Sequence, residues 1–516
     1  MRVLLCLGLV CFCLDPVRAD ELDDALGRLR KSPRGESAAT VAAVMKLAPD
    51  PTDLVRRLEA GVAVEPIKAG WHRLDATDEK GVTRPLQIYV PEIARSGDTP
   101  GLLVYMHGGV ARPDYALDVR GYARMWTGAA DEHGIVLAFP RARADSKWWR
   151  PEGVAHVLAS IREVKRHITV NDNRIFATGF SDGGSGCFHL ALAAPGPFAG
   201  TLPFNGHPAV AASDSGEQLY LHNLTHLPML VAATRDDQLY PAAAVLEHLL
   251  PALKRGARMR IISYESGGHQ PVYFEDQADA FGRFVDGTQR VAMPKRLDWR
   301  CASPATGRVA WLEVLELGET KEAVPAGEDI NFQSTPGRVR LGVNIDTAFA
   351  GPGVKITTVA DESNASRLGM AVGDVLIGMD GEQVSDVDSL RTALAKKRHG
   401  DGLRVLLRRG QDELAKETKI PAFQPRPYYT RTKPTAHVAA VVDGTRIRLR
   451  VRGARHLRLY LSPHLVPDGP VRIELNGQEL DANPVPLSAK AILERYARDA
   501  DGARVYTRYV DIFLAK

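Results

Sequence analysis

Apolar residues recur along this chain at more than one spacing, and the changes of spacing divide it. Over residues 20–65 they fall at helical intervals, with Leu22, Leu26 and Leu29 in one set and Val41, Val44, Met45 and Leu47 in a second; this predicts a helical segment packed on the domain after it. Over 66–285 short apolar runs at 70–74, 84–91, 101–106, 134–140, 174–180, 228–233 and 258–264 read as strands, with helical patterns at 122–133 and 151–168. Strands alternating with helices predict an α/β fold, a doubly wound, mostly parallel sheet. From about residue 286 the alternation stops, and 295–300 and 308–314 read as isolated strands. Beyond 421 the pattern is β throughout, at 437–442, 445–452, 456–461 and 471–475, the last entering an Asn476-Gly477 turn. Neither β set alone has the strands a sandwich needs, so 290–335 and 425–516 are expected to form one split, all-β domain around an inserted module.

The inserted stretch, 337–421, changes character again. Strands at 338–345 and 353–357 precede the run Leu368-Gly369-Met370-Ala371-Val372-Gly373-Asp374 and a strand that turns at Asp380-Gly381. A helix at 387–397 and a strand at 403–408 close it. This stretch resembles a PDZ domain. The resemblance implies an α+β module that takes an extended peptide as an added strand, with Leu341, Gly342 and Val343 as the loop that meets its carboxylate. A C-terminal or internal peptide segment is the implied ligand, and an inert spacer or intramolecular lid is the alternative.

Composition adds limits. The 516 residues are 45% hydrophobic and 25% charged with net charge +4, which fits several folded domains and gives no ground for nucleic acid as a partner. Arg2, the apolar run Val3 to Leu14 and Val17-Arg18-Ala19 read as an export signal, residues 1–19, with cleavage near Ala19. The run is too short to span a bilayer comfortably, so the mature chain is expected in the periplasm or outside the cell without a membrane span. Cys6, Cys11 and Cys13 lie inside the signal, leaving Cys187 and Cys301, at most one disulfide. Along 446–452, Ile447, Leu449 and Val451 alternate with four arginines. Such a face reads as solvated, and it would also suit an anionic polymer or a cell-envelope component.

Candidate chemistry begins at Gly179-Phe180-Ser181-Asp182-Gly183-Gly184, where an apolar run breaks into a Gly-x-Ser-x-Gly turn. A serine at the tip of a strand-turn-helix elbow is held strained with its hydroxyl exposed, which makes Ser181 the candidate nucleophile. Upstream, His107-Gly108-Gly109-Val110 comes after a buried run, and glycines there let backbone amides approach a developing oxyanion. Gly109, Val110 and the amide of Asp182 are the expected donors. Downstream, Asp236 and Asp237 come after the run 228–233; the strand-end register favours Asp237 as the acid, with Asp236 the alternative. His269, in Glu265-Ser266-Gly267-Gly268-His269, completes the order Ser, Asp, His. Trp148 and Trp149 stand in a loop, either shaping a cleft or covering the core.

These residues resemble the α/β-hydrolase superfamily over 66–285, most closely secreted carboxylesterases of the feruloyl esterase and polyhydroxybutyrate depolymerase type, and also the catalytic domain of prolyl oligopeptidases. The resemblance implies a secreted serine hydrolase that cleaves an ester through an acyl-enzyme, with an ester or peptide as substrate and with no cofactor or metal. A peptidase, or a non-catalytic scaffold for the PDZ module, is the alternative. Thr234 stands where many relatives place glycine before the acid.

Overall fold

The computed structural model describes residues 16–32, 36–62, 64, 67–92, 99–110, 119–215, 217–271, 274–319, 338–424, 433–480 and 483–514. The apolar run of the expected leader, Val3 to Leu14, lies outside the described residues, and the expected cleavage point falls in the first turns of α1 (Pro16–Lys31). Helices α2 (Ser37–Met45) and α3 (Pro51–Ala60) come next. The start of α3 is fixed locally: Asp50 accepts the amides of Thr52 and Asp53, and Pro51 occupies the first helical position.

A large sheet then forms from β1 (Gly70–Thr77), β2 (Thr83–Val90), β3 (Gly101–Met106), β4 (Ile135–Pro140), β5 (Ile175–Phe180), β6 (Gly200–Phe204), β7 (Met229–Thr234) and β8 (Met259–Tyr264). Its order is β1-β2-β4-β3-β5-β6-β7-β8. β1, β2 and β4 pair antiparallel, and every pair from β4 through β3 to β8 is parallel. Helices α4 (Val119–His133), α5 (Pro151–His167), α6 (Asp182–Ala193), α7 (Pro208–Asp214), α8 (Ala242–Lys254) and α9 (Phe274–Gly287) complete the unit. Central strands are buried on both faces, so alternate residues serve opposite layers. Leu102, Val104 and Met106 pack with α5 and α6 through Val157 and Phe188, whereas Leu103 and Tyr105 pack with α4 and α9 through Trp126 and Phe281. The doubly wound, mostly parallel sheet is as the alternation predicts. β6 is the strand the pattern did not disclose: it is five residues long and carries Pro203, which weakens a strand reading.

After α9 come β9 (Arg296–Cys301), β10 (Arg308–Val309) and β11 (Leu312–Leu317). The chain divides into two units, residues 333–427 and the remainder. In the smaller unit, β12 (Val343–Ile345), β13 (Val354–Val359), β14 (Val375–Met379), β15 (Glu382–Gln383), β16 (Gly402–Arg409) and β17 (Asp412–Lys419) form one sheet with β12 at its edge, accompanied by α10 (Asn364–Arg367) and α11 (Val387–Ala395). Its own core includes Leu341, Ile356, Leu376, Leu390 and Leu407.

Downstream lie β18 (Ala436–Asp443), β19 (Arg446–Arg452), β20 (Ala454–Leu461), β21 (Arg472–Leu475), β22 (Gln478–Leu480), β23 (Val485–Pro486), α12 (Ala489–Asp499) and β24 (Arg508–Phe513). Two five-stranded sheets result, β22-β21-β19-β18-β9 and β10-β11-β20-β24-β23. β9 pairs with β18 and β11 with β20, and one core holds Trp299, Trp311, Leu449, Leu457 and Val510. The expectation of an all-β C-terminal region is corrected by α12. Its Ile492, Leu493 and Tyr496 are buried with Leu26, Val44, Leu54 and Leu58, so the N-terminal helices find their apolar partner at the far end of the sequence.

Because β9 and β11 each supply a full neighbour to strands from the C-terminal segment, residues 428–516 expressed alone are expected to be insoluble, or to show no cooperative unfolding by circular dichroism. A soluble fragment that melts cooperatively would contradict this account of the two sheets.

Candidate active site

β5 ends at Phe180, Ser181 takes φ 58° and ψ −117°, and α6 begins at Asp182. A positive φ is costly for a residue with a Cβ, and surrounding contacts hold it. The Ser181 amide donates to the Phe204 carbonyl of β6 at 3.0 Å. Two glycines admit the close approach: a Cβ on Gly179 would stand 2.4 Å, and one on Gly183 1.8 Å, from the Met106 carbonyl oxygen of β3. The hydroxyl is thereby presented past the carboxyl ends of the strands, at the base of a helix whose first amides face it.

His269 comes from the loop after β8. Its Nε2 lies 2.8 Å from Ser181 Oγ, and its Nδ1 lies 2.8 Å from Asp237 Oδ2. With the carboxylate accepting from Nδ1–H, Nε2 is left to accept the serine proton. Asp237 is 1% exposed. Its Oδ1 accepts the amides of Leu239 at 2.7 Å and Tyr240 at 2.9 Å, and its Oδ2 accepts the Asn205 side-chain amide at 2.7 Å. Burial opposes ionisation, but the hydrogen bonds from His269, the Tyr240 amide, Asn205 and the Leu239 amide outweigh it and hold the carboxyl below its usual range.

Asp236, the alternative acid, does something else. It accepts the amides of Gly267 at 3.2 Å and Gly268 at 2.8 Å, which anchors the loop that carries His269. The Gly268 carbonyl is gripped from the other side by Thr234 Oγ1 at 2.6 Å and Asn205 Nδ2 at 3.3 Å. Thr234, unusual as a residue before the acid, thus has a definite task. Asn205, just past β6, was missed because β6 was missed; the Asn205-Gly206 pair after a short apolar run was the signal available.

The expected oxyanion loop passes directly over the serine, since a Cβ on Gly108 would stand 2.9 Å from Ser181 Cβ. His107 is buried; its Nε2 accepts the Ala142 amide at 3.1 Å, so its Nδ1–H donates to the Gly108 carbonyl at 2.8 Å. Burial pushes the His107 pKa down and keeps the ring neutral. Val110 departs from expectation. Its amide donates to Asp182 Oδ2 at 3.0 Å, because the carboxylate at the start of α6 caps the end of the loop. Gly109 has φ 69°, and its amide and that of Asp182 remain the candidate donors.

Trp148 and Trp149 are buried: the first donates to the His107 carbonyl at 2.8 Å and the second to Asp214 at 2.7 Å, so both brace the loops. Phe180 and Tyr240 flank His269 with ring centroids at 5.0 and 5.6 Å. Burial and the nearby Asp182 and Asp237 push Tyr240 up to about 12, so it stays protonated. Cys187 and Cys301 are both buried free thiols. Among the described residues no group of three or more His, Cys, Asp or Glu could hold a metal ion, and no helix is long and apolar enough to cross a membrane.

In the smaller unit, Leu341 is buried, Gly342 has φ 81° and Val343 opens β12, the strand at the sheet edge. The Leu341 and Gly342 carbonyls are taken up inside the unit by the amides of Ala365 and Ala360, each at 2.9 Å. Residues 333–420 match the family model for PDZ domains. The chain carries a PDZ domain there. The chain is 25% identical over 142 residues to a bifunctional acetylxylan esterase/xylanase of Neocallimastix patriciarum, a match covering 27% of this chain and 20% of that protein. The chain thus spans about a fifth of the length of that curated relative. Solved structures with a similar course include a thermostable esterase (22% identity, TM-score 0.36, 43% of this chain and 63% of that one). A fluorophosphonate-binding serine hydrolase of Staphylococcus aureus has 17% identity, TM-score 0.33, and coverage of 43% and 98%. The acylaminoacyl peptidase of Pyrococcus horikoshii has 15% identity, TM-score 0.35, and coverage of 44% and 43%.

Substituting Gly183→Ala is expected to cost about 1–3 kcal/mol or more, because the added methyl has only the Met106 carbonyl to displace. A denaturant midpoint equal to that of the natural protein would show that the elbow has more room than its geometry implies.

Proposed function

We propose that this chain is a serine hydrolase that cleaves carboxylic esters. The observation that carries the reading is the continuous row Asp237, His269, Ser181, with both hydrogen bonds at 2.8 Å. Ser181 Oγ attacks the ester carbonyl while His269 Nε2 takes its proton, and Asp237 stabilises the imidazolium. The tetrahedral oxyanion is held by the amides of Gly109 and Asp182, supported by the amino end of α6. Collapse breaks the bond to the alcohol, which leaves with the proton from His269. Water then attacks the acyl-enzyme by the same route in reverse roles, releasing the acid. The partial likeness to an acetylxylan esterase/xylanase favours an ester over an amide.

The PDZ domain, in this reading, receives an extended peptide along the free edge of β12, with the carboxylate at Leu341, Gly342 and Val343. The peptide is a partner or a substrate segment. The Arg2 and Val3 to Leu14 pattern supports export, so the working compartment is the periplasm or the exterior.

Three substitutions separate the roles on a panel of nitrophenyl esters, feruloyl esters and peptide amides. Ser181→Ala should lose turnover and all labelling by a fluorophosphonate; label persisting on the variant would overturn the nucleophile. Asp237→Asn should lower kcat on the order of 10³–10⁴-fold with little change in KM. Asp236→Asn should cost only on the order of tenfold, because it acts on loop placement. Equal losses at the two aspartates would reject the division drawn between them.

For the PDZ domain, peptides ending in a free carboxylate should bind at least about tenfold more tightly, by fluorescence anisotropy, than the same peptides amidated at the C-terminus. Equal affinities would remove the carboxylate loop from the account.

A further inference from the structure

The arginines of β19 do not stand on an open flat face. Together with their neighbours they line a cleft of ≈ 910 Å³. Strand register fixes the arrangement. Arg448, Arg450 and Arg452 lie opposite Val441, Ala439 and His437 of β18, which in turn lie opposite Arg296, Asp298 and Arg300 of β9. Arg300 is buried, so β9 offers Arg296 to the cleft and β19 offers Arg448, Arg450 and Arg452, on either side of one strand of smaller residues. The outer strands are about 10 Å apart, and successive arginines along β19 are about 7 Å apart. Arg255, just after α8, also lines the cleft.

Part of this charge is unneutralised. Asp298, the carboxylate on the floor, is already engaged by His222 at 3.0 Å and His437 at 2.8 Å. Arg448 has distant acidic neighbours, Asp443 at 3.5 Å and Glu474 at 3.9 Å. Arg296, Arg450 and Arg452 are exposed and have no ion-pair partner among the described residues. A solvated face needs no such concavity, and like charges held in register repel one another unless an anion joins them.

We infer that this trough binds an acidic polysaccharide, its sugar rings over Ala439 and Val441 and its carboxylate or sulfate groups on Arg296 at one side and on Arg448, Arg450 and Arg452 at the other. A guanidinium fork matches both oxyanions bidentately, and its charge does not titrate away. The lining contains no Phe, Tyr or Trp; a single-stranded nucleic acid would want such rings to stack its bases. Nor does it offer a large exposed apolar side chain for insertion into a lipid surface. Segments bearing His222 and Arg255 lead into the amino ends of β7 and β8, whereas Ser181, Asp237 and His269 lie past carboxyl ends, so this is a second site at the opposite end of the sheet.

The full chain should be titrated, by isothermal calorimetry at low and moderate salt, with polygalacturonate, heparin, neutral dextran and an oligothymidylate. Binding to polygalacturonate, heparin or both, weakened by salt and absent for dextran, is expected; which of the two binds identifies the anion. Arg450→Gln combined with Arg452→Gln should weaken that binding at least about tenfold, and Arg296→Gln alone should weaken it several-fold. These side chains are exposed, so thermal midpoints close to that of the natural protein should accompany the loss. Failure to bind either acidic polysaccharide, equal binding by the folded double variant, or tighter binding of the oligonucleotide would each overturn the inference.

Discussion

Everything at the candidate site depends on how closely β3, β5 and the start of α6 approach one another. The Met106 carbonyl oxygen stands 2.4 and 1.8 Å from where a Cβ on Gly179 and on Gly183 would lie, and the chain can turn there only because neither carries a side chain. That turn puts Ser181 at positive φ, and the cost is met by fixed contacts: its amide on Phe204, the glycine loop above it and α6 behind it. Once the elbow is rigid, the remaining groups need only be delivered to a fixed point. Parallel strands do this economically, since β3, β5, β7 and β8 all release their loops at one end of the sheet.

Delivery alone does not explain why His269 stays in place, because it sits in a loop with two glycines at positive φ. The loop is held by its own backbone. Asp236 takes the amides of Gly267 and Gly268, while Thr234 and Asn205 take the Gly268 carbonyl. Asp237 is held equally firmly by four donors, so the two adjacent aspartates divide one task, the first positioning the histidine loop and the second its ring. A different ionic cluster ties sequence-distant parts of the larger unit. Arg290, just after α9, makes two hydrogen bonds to Asp501 at 2.7 and 2.8 Å, the first group buried and the second largely so, and Arg504 reaches the Gly196 and Ala292 carbonyls. Breaking one partner of such a pair leaves an uncompensated charge in a desolvated place, which is why these contacts specify the packing more than they add net stability.

Much of this was legible in sequence where a residue's role is written in its immediate neighbours. The elbow, the His107-Gly108-Gly109 loop and the strand ends before Asp237 and His269 all depend on local patterns of apolar runs and glycines. What escaped depends on partners far away. β6 carries a proline and is short, and only its place between β5 and β7 makes it a strand. Asn205 inherits its role from that placement. Helix α12 has an apolar stripe, but its partners are Leu26, Val44 and Leu58, more than four hundred residues upstream, so a reading dominated by β signals passed over it. Val110 shows the same limit on a smaller scale: nothing in its own loop announces that the carboxylate of Asp182 takes its amide.

Seen along its strands, the large sheet has two ends with different electrostatic character. At the carboxyl ends, the acidic groups named above are each held by donors: Asp237 is buried and enclosed by them, Asp182 is half-buried and caps a loop, and the exposed Asp236 sits on two amides. Charge so arranged suits the proposed hydrolysis, in which preorganised dipoles stabilise the transition state. At the amino ends, where Asp298 of β9 and His437 of β18 meet His222, the exposed Arg296, Arg450 and Arg452 line a cleft with no ion-pair partner among the described residues. The proposed catalytic surface and the basic surface, at opposite ends of one sheet, do not compete for the same ligand groups. In the two readings proposed for these surfaces, a long polysaccharide held at the basic end presents a neighbouring segment, or a neighbouring molecule of the same polymer network, to Ser181, across a separation set by strand length and not by loop motion.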